Sequence, residues 1–383
     1  MNAGEVKARL YSSGASLRVA WDRGLISALE EVDPAVPEDL WVAPALIDLQ
    51  INGFAGVDFQ QDELSQAGLL QACAGLRSAG CSKFLLTLMT DRWEAILERL
   101  AQLRALRGRT PQVHAALAGW HIEGPFLSAA PGFCGAHNPA LMIDPSPLLI
   151  RQLQQVTESD PVLLTLAPER SGALETIALA TSLGMKVSLG HTNASAAILR
   201  HAMTAGATGF THLANACPQQ LDRHDNILWR VFDTPGLTAS LIPDGHHVSP
   251  ALFRLAHRLL QADHLYYTTD AVTAAGAPPG RYSIGAHQVV VGPDQIVRHP
   301  GQTNYAGSGL RPIDGVVRAA EMLGRRWQEV WDGFSSAPAR FMGWPHGLEV
   351  GRPADLCLVR TDFQNRPSLV RTIVAGTDSQ AES

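Results

Sequence analysis

Four polar side chains follow apolar, strand-like segments of the chain, and their types suit metal-assisted hydrolysis. Glu123 ends the segment AALAGWHIE, His191 follows MKVSLG, His212 lies in ATGFTHLA, and Asp270 ends HLYYTTD. Each segment is apolar and is bounded by turn residues, which is typical of a buried β-strand. When such strands run parallel in a barrel, their carboxyl ends open on one face, so side chains distant in sequence converge there.

Two imidazoles and one carboxylate form a common ligand set for Zn²⁺ that leaves one coordination position open for water. Glu123, His191 and His212 would supply that set, and a cation there would lower the pKa of the water. Asp270 would then take a proton from the water and pass it to a departing amine. A single His or Glu at a strand end is more often a hydrogen-bonded or solvated residue, so the prediction depends on all four converging.

Eight apolar segments alternate with helix-like stretches along the chain. Stretches such as ELSQAGLLQACAGLRSAG carry apolar residues three and four positions apart, which is typical of amphipathic helices. The repeated alternation predicts an α/β protein with a (β/α)₈ TIM-like barrel over residues 44–344. The strand-like segments are 41–51, 83–89, 113–122, 161–167, 185–190, 207–214, 237–243 and 264–270.

The two ends of the chain differ from this pattern. Residues 1–43 and 345–383 contain short β-like segments with turns, such as ASLRVAWD and RTIVAG. Because neither end can bury a core of its own, we expect both to join in one small β-sandwich domain. Residues 276–306 form a Gly/Pro-rich insertion with a predicted hairpin. Long insertions at the catalytic face of a barrel often cover the site.

Composition limits the classes of partner and compartment. Hydrophobic residues make up 46% of the chain, yet no apolar run reaches the roughly 18 to 20 residues that cross a bilayer. The net charge of −6 and the lack of a long basic run argue against nucleic acid and membranes as partners. The first residues lack the apolar core of a secretory signal, so we expect a cytoplasmic protein. Five scattered cysteines without a CxxC pair indicate reduced thiols.

The chain also resembles a known family through seven motifs in a fixed order. They are GWHIEGPFLS (119–128), GAHNP (135–139), SLGHTNAS (188–195), THLANA (211–216), DGHHVSP (244–250), TTDAVTAAG (268–276) and AGSGL (306–310). This series is similar to that of the N-acetylglucosamine-6-phosphate deacetylases, a family of the amidohydrolase superfamily. The resemblance implies a homodimer that hydrolyses the acetamide of a phosphorylated amino sugar, releasing acetate and the free amine.

The resemblance also implies roles for particular side chains. The metal ligands would again be the Glu and the two His named above, with Asp270 as the base and acid. His137 would lie against the acetyl carbonyl and help to polarise it. Contacts with the sugar phosphate would come from Asn215 and Ala216, partly through backbone N–H groups, and from His247 and Arg223. Arg223 would pair with the phosphate, in its own or in a neighbouring subunit.

The first strand predicts the number of metal ions. Many amidohydrolases carry His-x-His there and bind a second metal with it, whereas this chain has Gln50 and Asn52. Side-chain amides are much poorer ligands for transition metals than imidazole is. We therefore predict one divalent ion per subunit, with zinc as the expected ion and iron, manganese or cobalt as alternatives.

Two other functions compete with this interpretation. One is a different hydrolase on the same scaffold, such as an N-acetylgalactosamine-6-phosphate deacetylase or a cyclic-amide hydrolase. The motifs GHTNAS and THLANA favour an amino-sugar phosphate over a cyclic amide, but Ala214 and Cys217 replace the aromatic residue and the Met that are common in the family. The other is a non-catalytic barrel scaffold, and the retention of all four metal-site residues argues against it.

Overall fold

Eight parallel strands form the centre of the chain, which the computed structural model describes over residues 2–33, 36–285, 287–301 and 305–378. Each strand pairs in parallel with the next one along the chain. Bridges from Ile51 to Ala271 and from Ala271 to Ser308 bring the first and last strands together. The strands are β1 (Leu46–Ile51), β2 (Cys81–Met89), β3 (Leu117–Glu123), β4 (Val162–Leu166), β5 (Lys186–Leu189), β6 (Gly209–Phe210), β7 (Thr238–Leu241) and β8 (Leu265–Tyr267).

Helices cover the outside of this barrel, and at least one follows every strand. Several begin at a serine whose side chain accepts a backbone N–H, as Ser65, Ser195 and Ser249 do. Gly206 ends one of them in a left-handed conformation. The α-helices are Gln66–Ser78, Trp93–Arg109, Pro111–Ala116, Pro147–Thr157, Ala173–Ser182, Ala196–Ala205, Ile227–Phe232, Pro250–Leu259, Pro312–Leu323 and Ser336–Met342, and the 3₁₀ turns are Pro139–Leu141, Ala262–His264, Trp327–Glu329 and Trp331–Phe334.

The two chain ends share a second sheet of seven strands. Its spatial order is Thr377–Asp378, Pro367–Val374, Leu356–Thr361, Leu40–Pro44, Gly4–Leu10, Ser16–Asp22 and Leu25–Glu31. The predicted strand 41–51 is therefore two strands, because the chain leaves this sheet at Pro44 and enters the barrel at Leu46. The predicted (β/α)₈ barrel with a small β domain built from both ends is confirmed. The domain limits at residues 43 and 345 stay a prediction, and residues 1 and 379–383 lie outside the described part of the chain.

The predicted insertion forms a small antiparallel sheet after β8. Its strands are Gly280–Ile284, His287–Val291 and Val297–Arg298. Part of that predicted segment, residues 286 and 302–304, lies outside the described residues. A further two-stranded hairpin, Gly53–Phe54 with Val57–Asp58, follows β1 directly.

Specific contacts join the barrel to the small sheet. Lys83 Nζ on β2 lies 2.9 Å from Oδ2 of the buried Asp355, and the indole N–H of Trp331 donates to the carbonyl of Pro44 at 2.8 Å. These contacts fix the small sheet against the barrel at a distance from the strand ends where the site lies. In the described part of the chain, every helix is too short or too polar to cross a bilayer.

Candidate metal and catalytic site

The three predicted metal ligands converge at the carboxyl ends of β3, β5 and β6. Oε1 of Glu123 lies 2.9 Å from Nε2 of His212 and 3.3 Å from Nε2 of His191. One ligand atom from each of the three buried side chains lies within 4.8 Å of the other two. Within the described ranges, this is the only group of three His, Cys, Asp or Glu residues that is close enough to share a metal ion.

The hydrogen bonding of His191 fits a cation at this point. Its Nδ1 donates to the carbonyl oxygen of Phe133 at 3.0 Å, so in the neutral ring the Nε2 atom carries a lone pair. That Nε2 atom is buried, faces the carboxylate of Glu123 and has no hydrogen-bond partner. A lone pair that faces a carboxylate is repelled unless a positive ion lies between them, and a carbonyl behind the ring is a common support for a ligating imidazole. The residues present therefore fit a divalent metal.

The electrostatics of the ligand set agree with this fit. Burial lowers the pKa of His191 to about 4, so the ring is neutral near neutral pH. Burial alone would raise the pKa of Glu123, but the surrounding imidazoles of His137, His191 and His212 hold it well below its usual range. For His212, burial opposes the charged form, yet Glu123 outweighs burial and raises the pKa of the ring. An ionised carboxylate beside imidazole nitrogens offers a negative charge and nitrogen lone pairs to a divalent cation.

Asp270 follows β8 and lies at the same end of the barrel, where the carboxyl ends of the strands form its mouth. Its Oδ1 accepts a hydrogen bond of 2.7 Å from the side-chain amide of Asn52. Loss of surrounding water raises the pKa of Asp270 to about 6, and the charge of Glu123 adds to this effect. A carboxylate with such a pKa can both accept and return a proton near neutral pH.

His137 also reaches this mouth, with its Nε2 3.6 Å from Oε2 of Glu123. The backbone N–H of Thr90 donates to Nδ1 of His137 at 3.2 Å, and the hydroxyl of Thr90 lies 2.8 Å from the same atom. Because a backbone N–H can only donate, Nδ1 is the acceptor and the proton of the neutral ring is on Nε2. That N–H points to the site, which is the arrangement needed to polarise a carbonyl oxygen.

Three of these residues have a strained backbone conformation. His191, His212 and Asp270 have φ angles of 51°, 31° and 50°, in the left-handed region that non-glycine residues rarely occupy. Such conformations are often found at functional sites, where the surrounding structure enforces them. The sequence does not signal this feature at His191 or His212, because histidine is not a typical turn residue.

The other predicted site residues differ in how far the structure brings them to the mouth. Asn215 and Ala216 lie in the loop after β6, where Asn215 bonds back to the carbonyl of His212. His247 follows β7, and its Nδ1 lies 2.6 Å from Oδ2 of Asp244. Arg223 is exposed, and no hydrogen bond or ion pair within the described ranges joins its side chain to the other site residues.

One further residue supports the site and could not be singled out from the sequence. Glu169, in the loop after β4, accepts hydrogen bonds from the backbone N–H of Asn193 at 2.9 Å and from the hydroxyl of Thr192. It thereby anchors the segment that follows the predicted ligand His191. Its only signal in the sequence is a carboxylate shortly after an apolar strand-like segment, the pattern that identified Asp270.

Comparison with known proteins agrees with this site. No protein-family model matches the chain. It is 30% identical to the N-acetylglucosamine-6-phosphate deacetylase of Vibrio furnissii over 370 residues, which cover 93% of this chain and 88% of the relative. It is 32% identical to the N-acetylgalactosamine-6-phosphate deacetylase of Escherichia coli O157:H7, over 85% of each chain.

The fold also matches that of a solved structure. It is a mutant N-acetyl-D-glucosamine-6-phosphate deacetylase from Mycobacterium smegmatis in complex with N-acetyl-D-glucosamine-6-phosphate. The TM-score is 0.86 at 27% identity, and the match covers 98% of this chain and 99% of the other. The sequence and the fold thus lead to one conclusion: this chain belongs to the N-acetylglucosamine-6-phosphate deacetylase family of the amidohydrolase superfamily.

Proposed function

We propose that this protein hydrolyses the acetamide of N-acetyl-D-glucosamine 6-phosphate, giving D-glucosamine 6-phosphate and acetate. The reaction would serve amino-sugar catabolism or recycling. The observation that carries the proposal is the partnerless Nε2 of His191 facing Glu123, with His212 and Asp270 at the same mouth. The family relationship supports the choice of substrate, and the geometry supports the choice of the groups that carry out the hydrolysis.

Glu123, His191 and His212 would hold one divalent ion per subunit. When bound, such an ion supplies a Lewis acid and a water molecule of lowered pKa. Zinc is the expected ion, and iron, manganese or cobalt would suit the same mixture of nitrogen and oxygen donors. Gln50, in the first strand, donates to Oε1 of Glu123 at 2.9 Å and so acts as a hydrogen-bond donor to a ligand.

Asp270 would act first as a base and then as an acid. Its pKa of about 6 leaves it mainly ionised at neutral pH, so it can take a proton from the attacking water. The same carboxyl group then gives the proton to the amine nitrogen as the C–N bond breaks. His137 would donate its Nε2–H to the carbonyl oxygen as negative charge develops there, a contribution typically worth about 3 kcal/mol.

The remaining site residues would bind the sugar and its phosphate. Asn215 and Ala216 would do so partly through backbone N–H groups, and the ring of His247 would contact the substrate near Asp270, whose pKa it already lowers. Arg223 would pair with the phosphate, and its exposure suits a contact made across a homodimer. We propose a cytoplasmic homodimer for the active protein.

Acetate release tests this function. Purified protein should release acetate from N-acetylglucosamine 6-phosphate, lose the activity after treatment with a chelator and regain it with a divalent metal. The galactosamine epimer is the second candidate, because a relative that is 32% identical bears its name. Parallel assays with both epimers, each with and without phosphate, rank the substrates. Absence of acetate release from all four by the metal-loaded protein would refute the proposal.

A further inference from the structure

Asn52 lies directly after β1 and is 2% exposed beside Asp270. Its side-chain nitrogen donates to Oδ1 of Asp270 at 2.7 Å, and its side-chain oxygen is buried without a hydrogen-bond partner. We propose that Asn52 is a positioning residue that orients Asp270 for proton transfer, and that its free amide oxygen accepts a hydrogen bond from the water beside that carboxylate. This inference rests on the proposed function.

The orientation of the amide follows from its neighbour. If the amide were flipped, its oxygen would face Oδ1 of Asp270, and two acceptors would be in contact. The observed orientation places the donor on the carboxylate and therefore leaves the amide oxygen as the free acceptor. A buried acceptor without a partner is rare in folded proteins, and such an atom in an active site indicates a ligand that completes its hydrogen bonding.

The backbone holds the two residues in fixed register. The N–H of Asn52 donates to the carbonyl of Ala271 at 2.7 Å, and Ile51 forms a β-bridge to the same residue. On the other side, the N–H of Ser308 donates to the carbonyl of Asp270 at 3.1 Å. Asp270 is thus held through its backbone from one side and through its carboxylate from the other. Such double attachment explains how its left-handed φ of 50° is maintained.

This attachment assigns separate tasks to the two oxygens of Asp270. Oδ1 is occupied by the amide of Asn52, whereas no hydrogen bond from the described residues reaches Oδ2. The proton of the attacking water therefore goes to Oδ2 while the water oxygen bonds to the acetamide carbon. The proton then moves from Oδ2 to the amine nitrogen as the C–N bond breaks, which restores the carboxylate.

The neighbouring amide shows that the arrangement is specific. Gln50 lies two residues earlier in the chain and donates to Oε1 of Glu123 instead. Each amide thus contacts a different carboxylate of the site, Glu123 or Asp270. Gln50 supports a predicted metal ligand, and Asn52 supports the proton-transfer group.

Two substitutions test this role, with kcat, KM and metal content measured on the full-length protein. Asn52→Ala removes the amide, and we expect kcat to fall by about 100-fold, the size of effect typical of a misplaced catalytic group. KM should stay within about threefold of the wild-type value and the metal content should be unchanged, because neither depends on the orientation of the Asp270 carboxylate. Asn52→Asp keeps the shape and the acceptor but loses the donor, so its kcat should fall at least as far.

A matched control is available in the same region of the chain. Gln71 also donates through its side-chain amide, at 2.7 Å to the carbonyl of Ala55, but it does not contact a carboxylate at the mouth. Gln71→Ala should therefore keep the wild-type kcat and KM. An equal loss of kcat in this variant would overturn the proposal, because the effect would then belong to the hairpin that follows β1 and not to Asn52.

Other outcomes also refute the role of Asn52. If Asn52→Asp keeps kcat within about threefold of the wild type, the donor is not needed and the inference is wrong. A loss that appears in KM or in metal content instead of kcat would assign Asn52 a structural role. Failure of the proposed function is distinct, because the wild-type protein itself would then release no acetate.

Discussion

The side-chain amide of Gln50 donates a hydrogen bond of 2.9 Å to Oε1 of Glu123, the same oxygen that faces Nε2 of His212. The amide thus fixes the orientation of the carboxylate through an oxygen that is directed at the imidazoles. Both side chains are 2% exposed, so water cannot easily replace the donor. Partners of this kind commonly tune a metal site through the ligand that they hold.

Gln50→Ala should weaken metal binding by about 10- to 100-fold, the usual effect of removing a partner of a ligand. The physical reason is that Glu123 would lose the donor that holds its Oε1 in place. The measurement is a competitive titration with a metal-binding dye. An unchanged metal affinity would show that the imidazoles alone orient the carboxylate.

The fully loaded protein should contain one divalent ion per subunit. Gln50 and Asn52 use their amide nitrogens on Glu123 and Asp270, so the position of the His-x-His pair supplies no imidazole for a second ion. Elemental analysis after dialysis against excess zinc, with the protein concentration from amino-acid analysis, gives the ratio. A value near two would contradict the prediction.

Asp270→Asn should bind metal as the wild type does but lose about 100- to 10,000-fold in kcat, the range usual for removing a general base or acid. The Asn side chain cannot accept the proton of the water, whereas Glu123, His191 and His212 are untouched. Single-turnover assays of acetate release, combined with metal analysis of the same preparation, measure both quantities. Turnover like that of the wild type would remove Asp270 from the mechanism.

Activity should depend on pH through the same carboxyl group. Asp270 must be ionised to act as a base, and its pKa is raised to about 6 by burial and by Glu123. The logarithm of kcat/KM should therefore rise with pH and level off above about 6, instead of near the usual Asp value of about 4. Burial lowers the pKa of His191 to about 4, so protonation of this predicted ligand begins well below that limb. Rates in metal-saturated buffers from pH 4.5 to 8, each with substrate far below KM, give the profile, and a rate that stays nearly constant down to pH 4.5 would contradict it.

The barrel and the main site residues could be predicted from the sequence because their signals are local. Apolar segments alternating with amphipathic helices indicate the barrel, and a polar residue after a strand indicates the mouth. The structure confirms the convergence of Glu123, His191 and His212. Their proposed roles in metal binding, and that of Asp270 in proton transfer, stay predictions.

The remaining features depend on contacts between residues that are distant in sequence. The division of 41–51 at Ala45 follows from pairing of Leu40–Pro44 with Leu356–Thr361, more than 300 residues later. The hydrogen bond from Asn52 to Asp270 spans 218 positions. The proton position on His137 depends on Thr90, 47 residues earlier. Patterns within a short window cannot show such pairings, so the amides of Gln50 and Asn52 could be identified only as poor ligands.

Gly135→Ala should disturb the predicted metal site through its close contact with His191. Gly135 has a φ of 57°, and a Cβ there would lie 3.0 Å from Cε1 of the His191 ring. We expect a loss of about 1–2 kcal/mol in the free energy of unfolding from the left-handed backbone, together with weaker metal binding because the ring must move. Thermal unfolding with and without zinc, followed by metal titration, separates these two effects.

Gly108→Ala is the control for this substitution. Gly108 lies in the helix Trp93–Arg109, and a Cβ at that position would meet nothing within 4 Å. Alanine is favoured over glycine in a helix by up to about 1 kcal/mol, so this variant should be slightly more stable than the wild type and bind metal equally well. If Gly135→Ala also bound metal as the wild type does, then the loop of Gly135 would have room to move away from His191, and the close approach seen here would not constrain the ligand.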